Sequence, residues 1–195
     1  AIKSNVKFDF INDKFKSVER IQNIEFNRDW NIETISGNQK LLSTSINLSN
    51  QKHNSVNYQF ENLEFSDSFK GNKHHLYGRL NHKNISIQLN SSILNNEAIF
   101  EKGTFSRYSI NTKYNLLKSW YGFTVNAENN KRTEISTNLA SNLSHKFNEY
   151  EAFFGVGDST NVYSQFGVNL RTTDSIKNNK FEQVNNSKTY YLKSI

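Results

Sequence analysis

Over residues 150–170 apolar and polar side chains alternate with a period of two, and the rest of the chain follows the same rule. Tyr150, Ala152, Phe154 and Val156 fall on one face of a first arm, and Val162, Phe166, Val168 and Leu170 on one face of a second. A half-buried strand has this period, because successive side chains point to opposite sides of the sheet. The stretch therefore predicts a hairpin. Facing residues share a side only if their numbers differ by an even count, so the expected pairs are Val156 with Val162, Phe154 with Ser164, Ala152 with Phe166 and Tyr150 with Val168. They leave a five-residue loop that opens with Gly157, a residue able to take a positive φ. Phe153 and Tyr163 lie on the other face.

Taken in order, Val6, Phe8 and Phe10 mark a first strand, and Phe15, Val18 and Ile21 recur at threes, as in a helical turn or a connecting loop. Residues 24–32 predict a second strand with Ile24, Phe26, Trp30 and Ile32 on one face. Leu42, Thr44, Ile46 and Leu48 predict a third, and Val56, Tyr58 and Phe60 continue its phase. At Glu61 and Asn62 the phase slips, since the next apolar pair is Leu63 and Phe65. An inserted residue, a β-bulge, would produce such a slip.

Leu76, Gly78 and Leu80 share a strand flanked by His74 and His82. After a turn at Lys83 and Asn84, Ile85, Ile87, Leu89 and Ile93 form the next. Tyr108 to Leu116 and Tyr121 to Ala127 alternate in opposite phases on either side of Lys118 and Ser119. Residues 128–132 read as a polar turn. Ile135, Leu139, Leu143 and Phe147 are spaced by fours, but their Ser, Thr and Asn filling favours a strand over a helix. Residues 174–179 read as a turn before a last strand over 184–195.

The periodicity predicts an all-β chain of roughly eleven to thirteen strands. Residues 1–195 form one unit, an antiparallel meander, because parallel crossovers would need longer connections. The form would be β-barrel-like, or a large curved sheet or sandwich. An aromatic residue precedes glycine at Tyr77-Gly78, Tyr121-Gly122, Phe154-Gly155 and Phe166-Gly167. A strand glycine lets a neighbouring ring lie over bare backbone, or lets a large sheet curve.

Composition narrows this. Apolar residues make up 35% of the chain while aromatics reach 13%, which suits sheets with one greasy face and one wet face. There is no cysteine, so disulfides and thiolate metal sites are excluded. There is no proline or methionine either, and with Ala1 first the chain reads as a fragment of a larger one. The formal charge is +6, scattered among Asp, Glu and Asn. The densest basic run, Lys73-His74-His75 to Arg79 and Lys83, is too short for a nucleic-acid footprint.

His74 and His82 would share a strand face about 26 Å apart, too far for one ion bound at about 2 Å, so no metal and no other cofactor is expected. Glycosidase chemistry needs two convergent carboxylates, and Glu61, Glu64, Asp67, Glu149 and Glu151 mostly alternate with apolar residues as an outer face would. No nucleophile elbow and no phosphate-binding glycine loop occurs. Trp30, Trp120 and Tyr121 are the candidate ligand-binding residues, as a stacking surface for sugars. Core residues or an interfacial aromatic girdle would account for them equally.

The Asn-rich, proline-free strands, with Val18-Glu-Arg and Ile24-Glu-Phe-Asn-Arg-Asp-Trp-Asn31, resemble large outer-envelope proteins of Bacteroidota, many of them β-barrels or β-rich surface modules. Asp158-Ser-Thr and Asp174-Ser-Ile resemble the short O-glycosylation acceptor pattern of that group. The resemblance implies no catalytic residues. The expectation is a non-catalytic structural or interaction segment of an outer-membrane or cell-surface protein. Its partners would be other envelope proteins or the remainder of its own chain, with outer-membrane lipid or glycan as further candidates and no nucleic acid. The alternative is a carbohydrate-binding β-sandwich built on Trp30, Trp120 and Tyr121.

Overall fold

A computed structural model describes residues 1–14, 30, 37–50, 53–137, 139–141, 143–157, 163–177 and 180–194. Among these residues ten strands follow one another: β1 (Ile2–Ile11), β2 (Gln39–Ser49), β3 (Ser55–Phe65), β4 (Phe69–His82), β5 (Ile85–Ala98), β6 (Glu101–Leu116), β7 (Ser119–Glu134), β8 (His145–Gly157), β9 (Tyr163–Lys177) and β10 (Lys180–Ser194). All are antiparallel, and each pairs with its neighbours in sequence to make one meander sheet. The sheet is open: β1 and β10 are its edges and are not paired with each other. Of the expected forms, this is the single large sheet rather than a sandwich.

Among the described residues ten strands stand against the expected eleven to thirteen, several of them running beyond their apolar positions. The polar stretch 128–132, read as a turn, belongs to β7, which continues to Glu134 with Arg107 opposite Glu128. Likewise 174–177, read as a turn, is the end of β9. Asparagine, serine and charged residues weaken the alternation without ending the backbone ladder, whose hydrogen bonds do not depend on side-chain polarity.

The phase slip at Glu61 and Asn62 is not a bulge. Pairing of β3 with both β2 and β4 is unbroken from Ser55 to Phe65. Tyr58 and Phe60 simply occupy one face while Leu63 and Phe65 occupy the other. The irregularity lies instead in β10, where the register shifts between Gln183 and Asn185. The 150–170 hairpin keeps its expected faces and a five-residue connection, and Gly157 has φ 111°. Its register differs by two residues: Val156 faces Ser164, Phe154 faces Phe166, Ala152 faces Val168 and Tyr150 faces Leu170. This matches large apolar side chains directly across the pair.

Ile135, Leu139 and Leu143 lie outside the strands and are exposed, beside turns and a bridge between Thr133 and Ala140. Among the described residues, those from 135 to 144 show neither the expected strand nor the helix, while Phe147 lies in β8. In the expected strand 24–32 only Trp30 is described, and its backbone is helical rather than extended. Phe15, Val18, Ile21 and the Asp158 motif lie outside the described residues. Trp30, Leu63, Phe65, Phe69, Leu94 and Phe105 form the buried cluster, with Leu41 and Ala98 packed against it. Leu63 and Leu94 are fully buried, worth about 1.5–3 kcal/mol each.

Candidate functional surface

Antiparallel partners share a face, so face membership follows from the pairings. One row of facing residues crosses all ten strands: Ile2, Leu48, Val56, Gly78, Leu89, Ile110, Val125, Tyr150, Leu170 and Lys188. Every exposed large apolar residue in the described strands lies on the same face as this row, apart from Val184 at the bulge. So many exposed apolar side chains gathered on one face mark an interaction surface. The interleaved positions carry mostly Asn, Ser, Gln, Glu, Lys and Arg, with the buried cluster of Leu63, Phe65, Phe69, Leu94 and Phe105 at the end of that face opposite the turns 83–84 and 117–118.

The apolar residues do not fill their face. They form a band at the end of the sheet that carries the two-residue turns 83–84 and 117–118. Beyond it comes a tier of amides and hydroxyls, with Asn62, Asn72, Asn95, Thr104, Asn129, Asn148 and Thr172 on the same face. Beyond these come charges: Glu64, Lys70, Glu97, Lys102, Lys131, Lys146 and Asp174. The longest connections, 12–38 and 135–144, are at this polar end.

The band also runs obliquely. Its upper limit is Phe10 on β1, eight residues above Ile2 in the common row, and Tyr190 on β10, two residues below Lys188. The boundary thus drops ten residues across the nine strand spacings. At about 3.3 Å per residue and about 4.8 Å per spacing, the strands are inclined about 38° to the normal of the band. Over Tyr108 to Leu116 in β6 the band covers about 26 Å of strand, or about 21 Å along its normal.

The polar face is knit together by cross-strand hydrogen bonds. Asn126 and Asn169 donate to Glu149 from the two flanking strands at 3.0 and 2.9 Å, and Ser109 donates to Asn126 at 2.7 Å. Glu128 binds Arg107 at 2.9 Å and His145 at 2.8 Å. The Tyr191 hydroxyl donates to Glu151 and accepts from Gln165 at 3.0 Å. Rings cover glycines directly opposite them: Phe153 over Gly122, Trp120 over Gly155 and Tyr191 over Gly167. Three of the four aromatic-glycine steps in the sequence thus lend their glycine to a ring from the next strand. At Gly78, on the apolar face, no ring does so.

Trp30, Trp120 and Tyr121 are not brought together. Trp30, 3% exposed, sits in the buried cluster against Phe69, with Lys73 over its ring. Trp120, 4% exposed, lies on the polar face beside Tyr163, with Lys113 over its ring. Tyr121, 49% exposed, is on the apolar face, its ring 5.0 Å from Phe154. Being consecutive in a strand puts Trp120 and Tyr121 on opposite sides, so the three form no common sugar platform. His74 meets Tyr58 on the apolar face and His75 meets Asn90 on the polar face. Among the described residues no group of three or more His, Asp or Glu could hold a metal ion. Glu61 accepts from Gln59, and Glu149 and Glu151 are bound as above. No family model, curated protein or solved structure matches the chain.

Proposed function

We propose that this chain is a non-catalytic wall segment of an outer-membrane β-barrel, with the apolar band turned to lipid and the hydrogen-bonded polar face turned to the lumen. The observation that carries the reading is the oblique band. Membrane barrels alternate apolar-out and polar-in, tilt their strands about 35–45° and carry an apolar belt about 25 Å tall. The inclination of about 38° falls within that range, and the height of about 21 Å on β6 comes close to that belt, though on β4 and β9 the apolar stretch advances only four residues. From Phe10 on β1 to Tyr190 on β10 the apolar boundary descends overall, with one rise at Ile93 on β5, a net slope that a soluble sheet has no need of.

Two further features agree. All connections at the band end are two to five residues long, while the two long ones, 12–38 and 135–144, share the far end with three short turns; short turns on one side and longer loops on the other occur in such barrels. The edges of β1 and β10 set the partner requirement. Unpaired backbone groups cost several kcal/mol each in hydrocarbon, so both edges must pair with further strands, from the remainder of its own chain or from other envelope proteins.

Because the chain has no cysteine, single-cysteine variants over 85–90 can carry a polarity-sensitive dye after refolding into vesicles. Labels at Ile85, Ile87 and Leu89 are expected to be blue-shifted and quenched by brominated acyl chains, while labels at Ser86, Gln88 and Asn90 are not. A profile without the two-residue period, or a monodisperse monomer in detergent-free buffer, would overturn the reading.

A further inference from the structure

Above the band, four to six residues beyond Leu76, Tyr108 and Ala127 and so about 10–16 Å along its normal, three lysines stand on the lipid-side face: Lys70 on β4, Lys102 on β6 and Lys131 on β7. All three are exposed. They line one cleft of about 460 Å³, together with Asn72, Asn95 and Thr104 of the amide and hydroxyl tier. Glu97, opposite both Lys70 and Lys102, is the one carboxylate in the cleft, so its formal charge is +2.

We propose that this cleft binds the phosphate-bearing headgroup of a membrane lipid. The inference rests on the barrel reading, because only that reading sets the cleft outside the hydrocarbon, where the long lysine stems reach back toward the headgroup phosphates. The order of the surface then matches the lipid outside it. Apolar side chains meet acyl chains, the tier of Asn72, Asn95 and Thr104 offers hydrogen bonds at ester and sugar depth, and ammonium groups stand where phosphates lie. Lysine suits the task as a compact, mobile point charge that reaches a phosphate without a fixed fork geometry. A neutral zwitterionic headgroup would place its own cation against the lysines and gain less.

The test compares labelled phosphatidic acid with phosphatidylcholine for retention by the refolded protein in neutral detergent micelles. The protein is expected to retain phosphatidic acid preferentially. The triple variant K70Q/K102Q/K131Q should weaken that retention about tenfold or more, since each basic residue near an anionic surface contributes appreciably. The double variant K83Q/K118Q, in the turns at the opposite end, should leave it unchanged. Equal weakening in both variants would mean unspecific charge attraction and overturns the cleft, as does no weakening in the triple variant. Displacement of the lipid by an equal concentration of inorganic phosphate would make this a general anion site and also overturns it. The dye profile over 85–90 separates the two ideas. If it keeps its period while retention is unaffected, the headgroup site alone falls; if the period is absent, both fall.

Discussion

Trp120 lies across Gly155 of the neighbouring strand so closely that a methyl group there would come within 2.1 Å of the indole. The two residues face each other directly in the pairing of β7 with β8. Replacing Gly155 with alanine is expected to force the ring off its site and cost about 1–3 kcal/mol, as overpacking does. Gly78→Ala, where the new carbon would meet only Leu89 at 3.8 Å, should be tolerated. Guanidinium unfolding followed by tryptophan fluorescence compares them, and equal stability of the two variants would contradict the packing described.

Leu89 and Asn57 test the two faces. Leu89 sits in the row that crosses the band, while Asn57 is on the polar face opposite Tyr77. Leu89→Arg is expected to cost about 2–4 kcal/mol in a bilayer, the value for an arginine near the midplane of a barrel. Asn57→Arg should cost less than about 1 kcal/mol, because it faces a polar surface. The readout is the unfolding midpoint in vesicles. Similar costs at both positions would speak against a lipid-facing band.

Tyr191 joins β10 to its neighbours through a hydroxyl shared between Glu151 and Gln165. Tyr191→Phe keeps the ring over Gly167 but leaves the Glu151 carboxylate without that donor. A loss of about 1–3 kcal/mol is expected, the usual result of orphaning a partly buried charged acceptor. Denaturant unfolding measures it, and a neutral substitution would show that water replaces the hydroxyl without cost.

Trp30 closes the buried cluster at the polar end of the sheet. Trp30→Ala should cost about 3–5 kcal/mol, as removal of a buried indole does. Its far-ultraviolet spectrum should remain that of a β-sheet, because the band does not depend on it. Loss of the β signal would mean that the cluster nucleates the whole sheet.

Alternation along the sequence was enough to mark nearly every strand, the side shared by Val6, Phe8 and Phe10, the side shared by Tyr121, Phe123 and Val125, and the positive φ at Gly157. Period-two patterning acts within one strand, so it can be read locally. Where it failed, side-chain polarity and backbone pairing had parted company. Asn129 and Lys131 looked like a turn yet continue a strand, and Leu63 and Phe65 looked like a bulge yet mark a change of the face that is covered. The separation of Trp30, Trp120 and Tyr121 was half legible, since adjacent strand residues must point apart, but the burial of Trp30 depends on strands distant in sequence. The oblique band was not legible at all. It is the sum of nine registers, and each register is set by long-range hydrogen bonding and packing between strands. Local sequence determined which residues share an apolar face; only the assembled sheet decided that they lie along one inclined belt.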